Sequence, residues 1–493
     1  MLNRIVLIVF VLLVIISAVY ALRDTKDYTT SSDEAYNLLL EGKDLRSKLY
    51  VTEANRDFEE AIKLDSNFSI AWVELSQGMM TTGDSKLAQD YLDRAMKNYS
   101  NLKEHEKLYL DIHEAYYKNN IDEGLRLANQ YTEKFPKRLE GHLILGNNAW
   151  ERGDIETAIN EYNKIIKLDS AYAPAYNSLG YLEFGNGNFN KALEYFDVYI
   201  KLLPDQANPH DSRGEILMAV GRYDEALQEF KTAHQIEPKF SFVLYHMKDI
   251  YTYKGIFGKV DKIFDQIAAL CQTEKERRAM NLYRLRSYVQ RGDSANAMKL
   301  ANAFINNDFE DGGDYARYWG NLNAAQAYLY TDVNKASQYL DEARKIHDLE
   351  FASKIDSGAV LETQGWLLMV EGLIDLEKKD YKDVLVLEDV IKDKRYWRPD
   401  VLIDMKNILA KAYYHLDRKV DCFRLMNENL ALNPNHPATN YYMADIYELE
   451  GNIPLAIKHL SKTLDVFRDA DDKFIRLAKF QDKMAELNSL ANK

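Results

Sequence analysis

Glycines recur along this chain at a fixed interval. Gly153, Gly187, Gly221 and Gly255 each lie 34 residues after the one before. Gly146, Gly180 and Gly214 keep the same step, and so do Ala158, Ala192 and Ala226. Ala54 and Ala88 repeat it upstream, Cys422 and Ala456 near the C-terminus. One period sustained through most of a 493-residue chain argues against a single compact core. It points to a stack of equivalent units, none of which can bury its apolar face alone.

The residues between the glycines say what each unit is. In Tyr176 to Pro204, the residues Tyr176, Leu179, Gly180 and Phe184 fall on one face of a helix. Gly187 ends that helix, because glycine adopts the left-handed cap without a Cβ penalty. Asn188 stands where a side chain caps the next helix. Ala192, Phe196 and Tyr199 form a second apolar face, and Pro204 closes the unit. Gly83-Asp84, Gly153-Asp154, Gly292-Asp293 and Gly451-Asn452 repeat the cap pair, and Asn119 stands where the period calls for a glycine. Pro136, Pro204, Pro238 and Pro434 mark unit ends. With only 9 prolines and 22 glycines in the whole chain, the expectation is an all-α protein of paired helices.

This pattern resembles the tetratricopeptide repeat (TPR), whose consensus runs W-x2-L-G-x2-Y, Ala-x3-Phe, then Pro over 34 residues. Trp72, Leu75, Ser76, Met79, Ala88, Leu92 and Ala95 carry one unit. Gly214, Leu217, Ala226, Phe230, Ala233 and Pro238 carry another, and Met443, Ala444, Tyr447, Gly451, Ala456 and Leu460 the last clear one. The resemblance covers Asp33 to Phe467 and implies an α-solenoid of about twelve repeats. The units from Ala54 to Val260 run almost continuously, with a two-residue stretch between the second and third. Degenerate units are read around Ala297, Ala336 and Val384, and better ones around Cys422 and Ala456. A longer loop is expected over Asn306 to Asp314 and a seam at Gln272 to Arg278. The expected organisation is therefore a leader (1–23), a linker (24–32), an N-terminal array (33–271), a degenerate C-terminal array (272–467) and a capping helix (468–493).

In the resembled family the first helices of the pairs line a concave groove that binds an extended peptide or a partner's helix. Stepping along the period from Leu145 and Gly146 places Asn147, Trp150, Asn177, Tyr181, Phe184, Asp211, Glu215, Tyr245 and Asp249 on that face. Asparagine satisfies peptide backbone and aromatics supply anchor area; the bland alternative is that Trp150 and Phe184 only pack between neighbouring pairs. The mixture of Asn with Asp and Glu disfavours an anionic tail, and the family's Lys/Asn/Arg carboxylate clamp is absent.

The chain opens with a second feature. Ile5 to Leu22 runs eighteen residues without a charge, long enough to span a bilayer as a helix. The small residues at Ser17 to Ala21 also fit a secretory signal cut after Ala21. Either reading, a transmembrane anchor or a cleaved signal, puts the repeats outside the cytoplasm, in a bacterial envelope or periplasm. Arg4 favours an N-terminus kept inside.

The remaining sequence excludes more than it adds. A net charge of −14 repels nucleic acid and anionic lipid. Two distant cysteines, Cys271 and Cys422, make neither a disulfide framework nor a metal knuckle and read as buried small side chains. Gly255-Ile256-Phe257-Gly258-Lys259 lacks the spacing and hydroxyl residue of a phosphate loop and reads as a turn. His105 and His113 share a helix face and read as a surface pair rather than a metal site. No catalytic residues, metal, cofactor or small-molecule substrate are expected. The expected function is an anchored scaffold or assembly factor that binds other proteins. The alternative is a regulatory or sensory subunit of a separate effector such as a kinase or cyclase, and an enzyme using the groove as a substrate channel is the third possibility.

Overall fold

The computed structural model describes residues 26–82, 84–309, 312–350, 358–392 and 399–492. The apolar segment Ile5 to Leu22 and Gly83 lie outside them. No helix among the described residues is long and apolar enough to cross a membrane. The described chain contains helices and turns only, and divides into two compact units at Pro204/Asp205.

The first unit holds five helix pairs among its described residues. They are α1 (Asp33–Ser47) with α2 (Val51–Leu64), α3 (Ser69–Thr82) with α4 (Ser85–Met96), α5 (Glu104–Tyr117) with α6 (Ile121–Lys134), α7 (Leu139–Glu151) with α8 (Ile155–Leu168), and α9 (Ala173–Gly185) with α10 (Phe189–Leu202). A short 3-10 turn, Tyr99–Asn101, takes up the two-residue stretch between the second and third pairs.

The period has a steric cause. A Cβ on Gly42 would stand 2.5 Å from the Phe58 ring, and one on Gly180 2.5 Å from the Phe196 ring. Each glycine lets the second helix press its buried phenylalanine onto the first. At Gly146 the partner is Tyr162 and the approach relaxes to 3.4 Å. Gly153 and Gly187 adopt positive φ (+74° and +81°) at the turn between paired helices, and Asn119 takes the same left-handed conformation in their place. Asp84, Asn120 and Asp154 accept backbone N–H bonds at helix starts. Asn188 departs from expectation: its side chain makes no cap bond and instead donates to Glu183 at 2.7 Å. Glu183 is a buried carboxylate that also pairs with Lys191, and its need for donors outweighs the cap.

The second unit holds seven pairs among its described residues. The regular ones are α11 (Ala207–Ala219) with α12 (Tyr223–Ile236), α13 (Ser241–Tyr253) with α14 (Phe257–Leu270), α21 (Pro399–His415) with α22 (Lys419–Leu432), and α23 (Pro437–Leu449) with α24 (Ile453–Val466). Between them lie α15 (Glu274–Arg291) with α16 (Ser294–Ile305), α17 (Gly313–Tyr328) with α18 (Val333–Glu350), and α19 (Gly358–Lys378), whose partner shrinks to a 3-10 turn (Asp383–Val386) and α20 (Leu387–Val390). Here α15, α18 and α19 run 18 to 21 residues, whereas every helix of the regular pairs except the 17-residue α21 has 13 or 14, which is why the period loosens after Cys271. Trp319 and Tyr318 fill the core of this stretch.

The last elements of the second unit return to its first. Asn433 donates to the Tyr223 hydroxyl at 2.9 Å, the Gly258 N–H donates to the Asp471 carboxylate at 2.6 Å, and Phe474 packs on Phe257. The capping helix expected over 468–493 is α25 (Leu477–Ala491), and the residues from Asp469 to Arg476 ahead of it carry these contacts. α25 covers α23 and α24 through Phe480 on Tyr441 and the buried Leu487.

Candidate peptide-binding faces

In the first unit the expected groove residues lie on the first helices of their pairs. On α7, Asn147 is exposed and its carbonyl accepts a hydrogen bond from Tyr162. Trp150 is 36% exposed and meets Tyr162 edge-on. On α9, Tyr181 is half-buried with its ring edge-on to Phe196, and Phe184 is half-buried beside Phe189. The Asn177 side-chain carbonyl is buried without a hydrogen-bond partner. Trp150 is thus an aromatic surface with one ring contact beneath it, and Asn177 is a polar group with unused acceptor capacity.

The same face extends upstream through residues that sequence reasoning misses. Stepping back from Asn147 by the period reaches His113 on α5. The two-residue stretch then shifts the step to Gln77 on α3, and one more period reaches Lys43 on α1. Gln77 donates to the Tyr109 hydroxyl at 2.8 Å, and Tyr109 meets the His113 ring edge-on. Burial holds His113 neutral, with its pKa lowered to about 4. Lys43 reaches Glu140 at the start of α7 (2.8 Å) and Glu74 on α3 (3.6 Å). Arg46 meets Glu74 at 2.6 Å. Burial opposes the charge on Glu140, but Lys43 outweighs it and lowers the carboxyl to about 2. The first helices of pairs one and four therefore face each other across an inner surface bridged by charge.

Residues just before α1 occupy that surface. The Tyr28 hydroxyl donates to Glu140 and accepts from Lys43, both at 2.9 Å, and the Tyr28 side chain is buried. The stretch 24–32, expected to be a linker, is in its described part a docked strap.

In the second unit the expected residues are engaged internally. Asp211 on α11 is buried and takes a 2.8 Å hydrogen bond from His246 on α13. Glu215 lies 3.3 Å from the other nitrogen of that ring. Burial alone would lower the His246 pKa, but Asp211 and Glu215 raise it. Asp249 pairs with the buried Lys248, and Tyr245 packs on Tyr283 of α15. These acids balance cations of their own unit, and the open aromatic and amide groups lie in the first.

The other singled-out residues settle into structural places. His105 lies between Tyr28 and Phe135 and is buried rather than on the surface. No group of three metal-ligating side chains occurs among the described residues. Gly255 to Lys259 form the turn into α14, with Gly255 at φ +70°. Cys422 is buried as expected. Cys271 is only half-buried, because it caps the end of α14.

The tetratricopeptide-repeat profile matches residues 109–173 and 143–207. No functionally curated protein matches. Among solved structures the chain is similar to a thermophilic TPR protein of Thermus thermophilus, with 19% identity over 37% of this chain and 97% of that one and a TM-score of 0.31. It is also similar to YrrB, described as a TPR protein with an unusual peptide-binding site (16% identity, 39% and 97% covered, TM-score 0.27). A monomeric mutant of IFIT1 with Gppp-AAAA aligns over 89% of this chain and 91% of its own at 14% identity and a TM-score of 0.38. Likeness at this level carries no argument about partners. The profile match, together with paired helices that carry the repeat's own anchors, identifies tetratricopeptide repeats in this chain.

Proposed function

We propose that this protein is a scaffold or assembly factor, exported and held at a membrane by its first residues, that grips extended segments or helices of partner proteins. The repeat fold supports the coarse reading, because stacked helix pairs present a long surface and no separate effector domain lies among the described residues. The observation that carries the finer one is the α7–α9 face. It joins an exposed Trp150 to half-buried Tyr181 and Phe184 and to an Asn177 carbonyl with no partner. Aromatic anchors beside free amide capacity suit a backbone with apolar side chains. Membrane attachment rests on the charge-free run Ile5 to Leu22.

The test is a crosslinked pull-down from the native host, comparing the natural chain with a Trp150→Ala/Tyr181→Ala/Phe184→Ala variant of equal helix content. Specific partners lost from the variant support the groove. The same partners retained at the same yield contradict it. Mass spectrometry of the recovered N-terminus reads the anchor: an intact Ile5 to Leu22 supports attachment, and a terminus after Ala21 contradicts it.

A further inference from the structure

The residues just before α1 are bound as a peptide would be. The segment 26–32 is held over the first four pairs by side chains from α1, α5 and α7 and from the links before α3, α5 and α7. The Tyr28 ring lies against His105, at 5.9 Å between centroids, with Lys43 5.0 Å and Arg138 5.5 Å from its own centroid. Its hydroxyl is shared between Lys43 and Glu140. The Thr29 N–H donates to Glu106 at 2.8 Å, and its hydroxyl donates to the same carboxylate. Two residues on, the Ser31 N–H donates to Asp65 at 2.7 Å, joined by the hydroxyls of Thr30 (2.6 Å) and Ser31 (2.9 Å). Asp27 pairs with Arg138, and Lys103 donates to the Lys26 carbonyl.

This is a built site. Glu106 is fully buried and Asp65 nearly so, and among the described residues no cationic side chain hydrogen-bonds to either. Glu106 also accepts the Lys103 N–H at the start of α5, and Asp65 the Asn67 N–H. Two buried carboxylates receive the N–H groups of Thr29 and Ser31, so the backbone of the segment is read as well as its side chains. The hydroxyls beside them add donors that carboxylates require. The aromatic socket with a Lys–Glu pair at its base selects a side chain with an apolar ring and a polar tip.

We propose that the inner face of the first four repeats is a peptide-recognition site held in cis by residues 26–32, and that it takes in trans a partner segment of the same chemistry: an acidic residue, then tyrosine, then two or three residues bearing hydroxyls. The proposal rests on the scaffold reading for its biological use, but it concerns a different part of the face. The strap touches the start of α7, while Asn147 and Trp150 lie at its other end. Proline is excluded at the positions of Thr29 and Ser31, because each N–H is in use. A phosphate on either hydroxyl is excluded by the carboxylates that receive it.

The experiment uses the full chain and a fluorescent peptide of residues 25–33 as probe. In a Tyr28→Ala/Thr29→Pro variant the strap loses its ring and one N–H, and the peptide binds at least tenfold more tightly than to the natural chain. The same peptide with alanine for tyrosine does not bind. A folded variant that ignores the peptide, or equal binding by variant and natural chain, overturns the proposal. A second measurement needs no variant. Trypsin cleavage after Lys26 of the natural chain, followed by mass spectrometry, accelerates when an excess of unlabelled peptide, carrying glutamine in place of Lys26 so that trypsin spares it, displaces the strap. A rate unmoved by peptide overturns the proposal even where the variant fails to fold. Neither result depends on Trp150, so the groove reading stands or falls separately.

Discussion

Lys43 on the first helix and Glu140 on the seventh meet at 2.8 Å, although 97 residues separate them. Helices three repeats apart are thus tied across the inner face by a pair that is largely out of water. Removing one partner strands the other charge. Lys43→Met or Glu140→Leu alone is expected to cost toward the low end of about 3–5 kcal/mol, and the double replacement much less. Hydrogen exchange of α1 and α7 amides reads the loss locally. Equal costs for the single and double variants would contradict the coupling.

The same pair sets an acid limit. Glu140 falls from its ordinary 4.5 to about 2 in the folded chain. A depressed carboxyl contributes stability that is present above its unfolded pKa and lost as pH falls through the folded one. The first unit is therefore expected to weaken between about pH 4.5 and pH 2, and Glu140→Gln to flatten that dependence. Protection of α7 amides measured across this range checks the slope, and an unchanged slope in the variant counts against the assignment.

In the second unit the sign reverses. Asp211 and Glu215 raise His246 above its ordinary 6.5. A raised histidine contributes stability that is fully present below the unfolded pKa and lost as pH rises through the folded one. Contacts between α11 and α13 should weaken above pH 6.5, and His246→Gln should remove the trend. NMR titration of the His246 ring gives the folded pKa directly; a value at or below 6.5 contradicts the reading.

The glycine period makes its own prediction. Gly180→Ala puts a methyl 2.5 Å from the Phe196 ring, which is fully buried and has no room to retreat. Overpacking of this kind costs about 1–3 kcal/mol, with partial recovery when Phe196→Leu is added. By contrast Gly146→Ala meets Tyr162 at only 3.4 Å and should cost less. Urea unfolding midpoints of the two alanine variants decide the order.

Phe474 tests the closure of the second unit. It is buried against Phe257, Phe467 and Phe480. Phe474→Ala should lose about 3–5 kcal/mol and speed hydrogen exchange at Gly258, whose N–H is held by Asp471. If Gly258 exchange does not change, the two contacts are independent.

What the sequence disclosed follows from which contacts repeat. Gly42, Gly180 and Gly214 share one steric demand, a ring pressed onto a helix, so the demand recurs at the period and can be read by alignment. The candidate face was legible for the same reason, and the step that found Asn147 also reaches His113, Gln77 and Lys43 once the 3-10 turn is allowed for. Composition misled at Asp211, Glu215 and Asp249, which look like a free acidic surface but are balanced by His246 and Lys248. Those cations belong to no repeat anchor, so no pattern announced them. The strap was illegible outright. Tyr28 to Ser31 has no helical period, and its partners lie 15 to 112 residues away. A polar run before a first repeat reads as a linker until the carboxylates that receive it are seen.

The central claim, that partner proteins lie along the inner face of the first unit, is tested most directly by a photo-reactive residue placed at Trp150 on α7 in the native host. Lys167, exposed on the second helix of the same pair, serves as the control. The account predicts a discrete protein adduct from position 150 that is absent from position 167. Adducts from position 167 alone, or identical adducts from both, would contradict it.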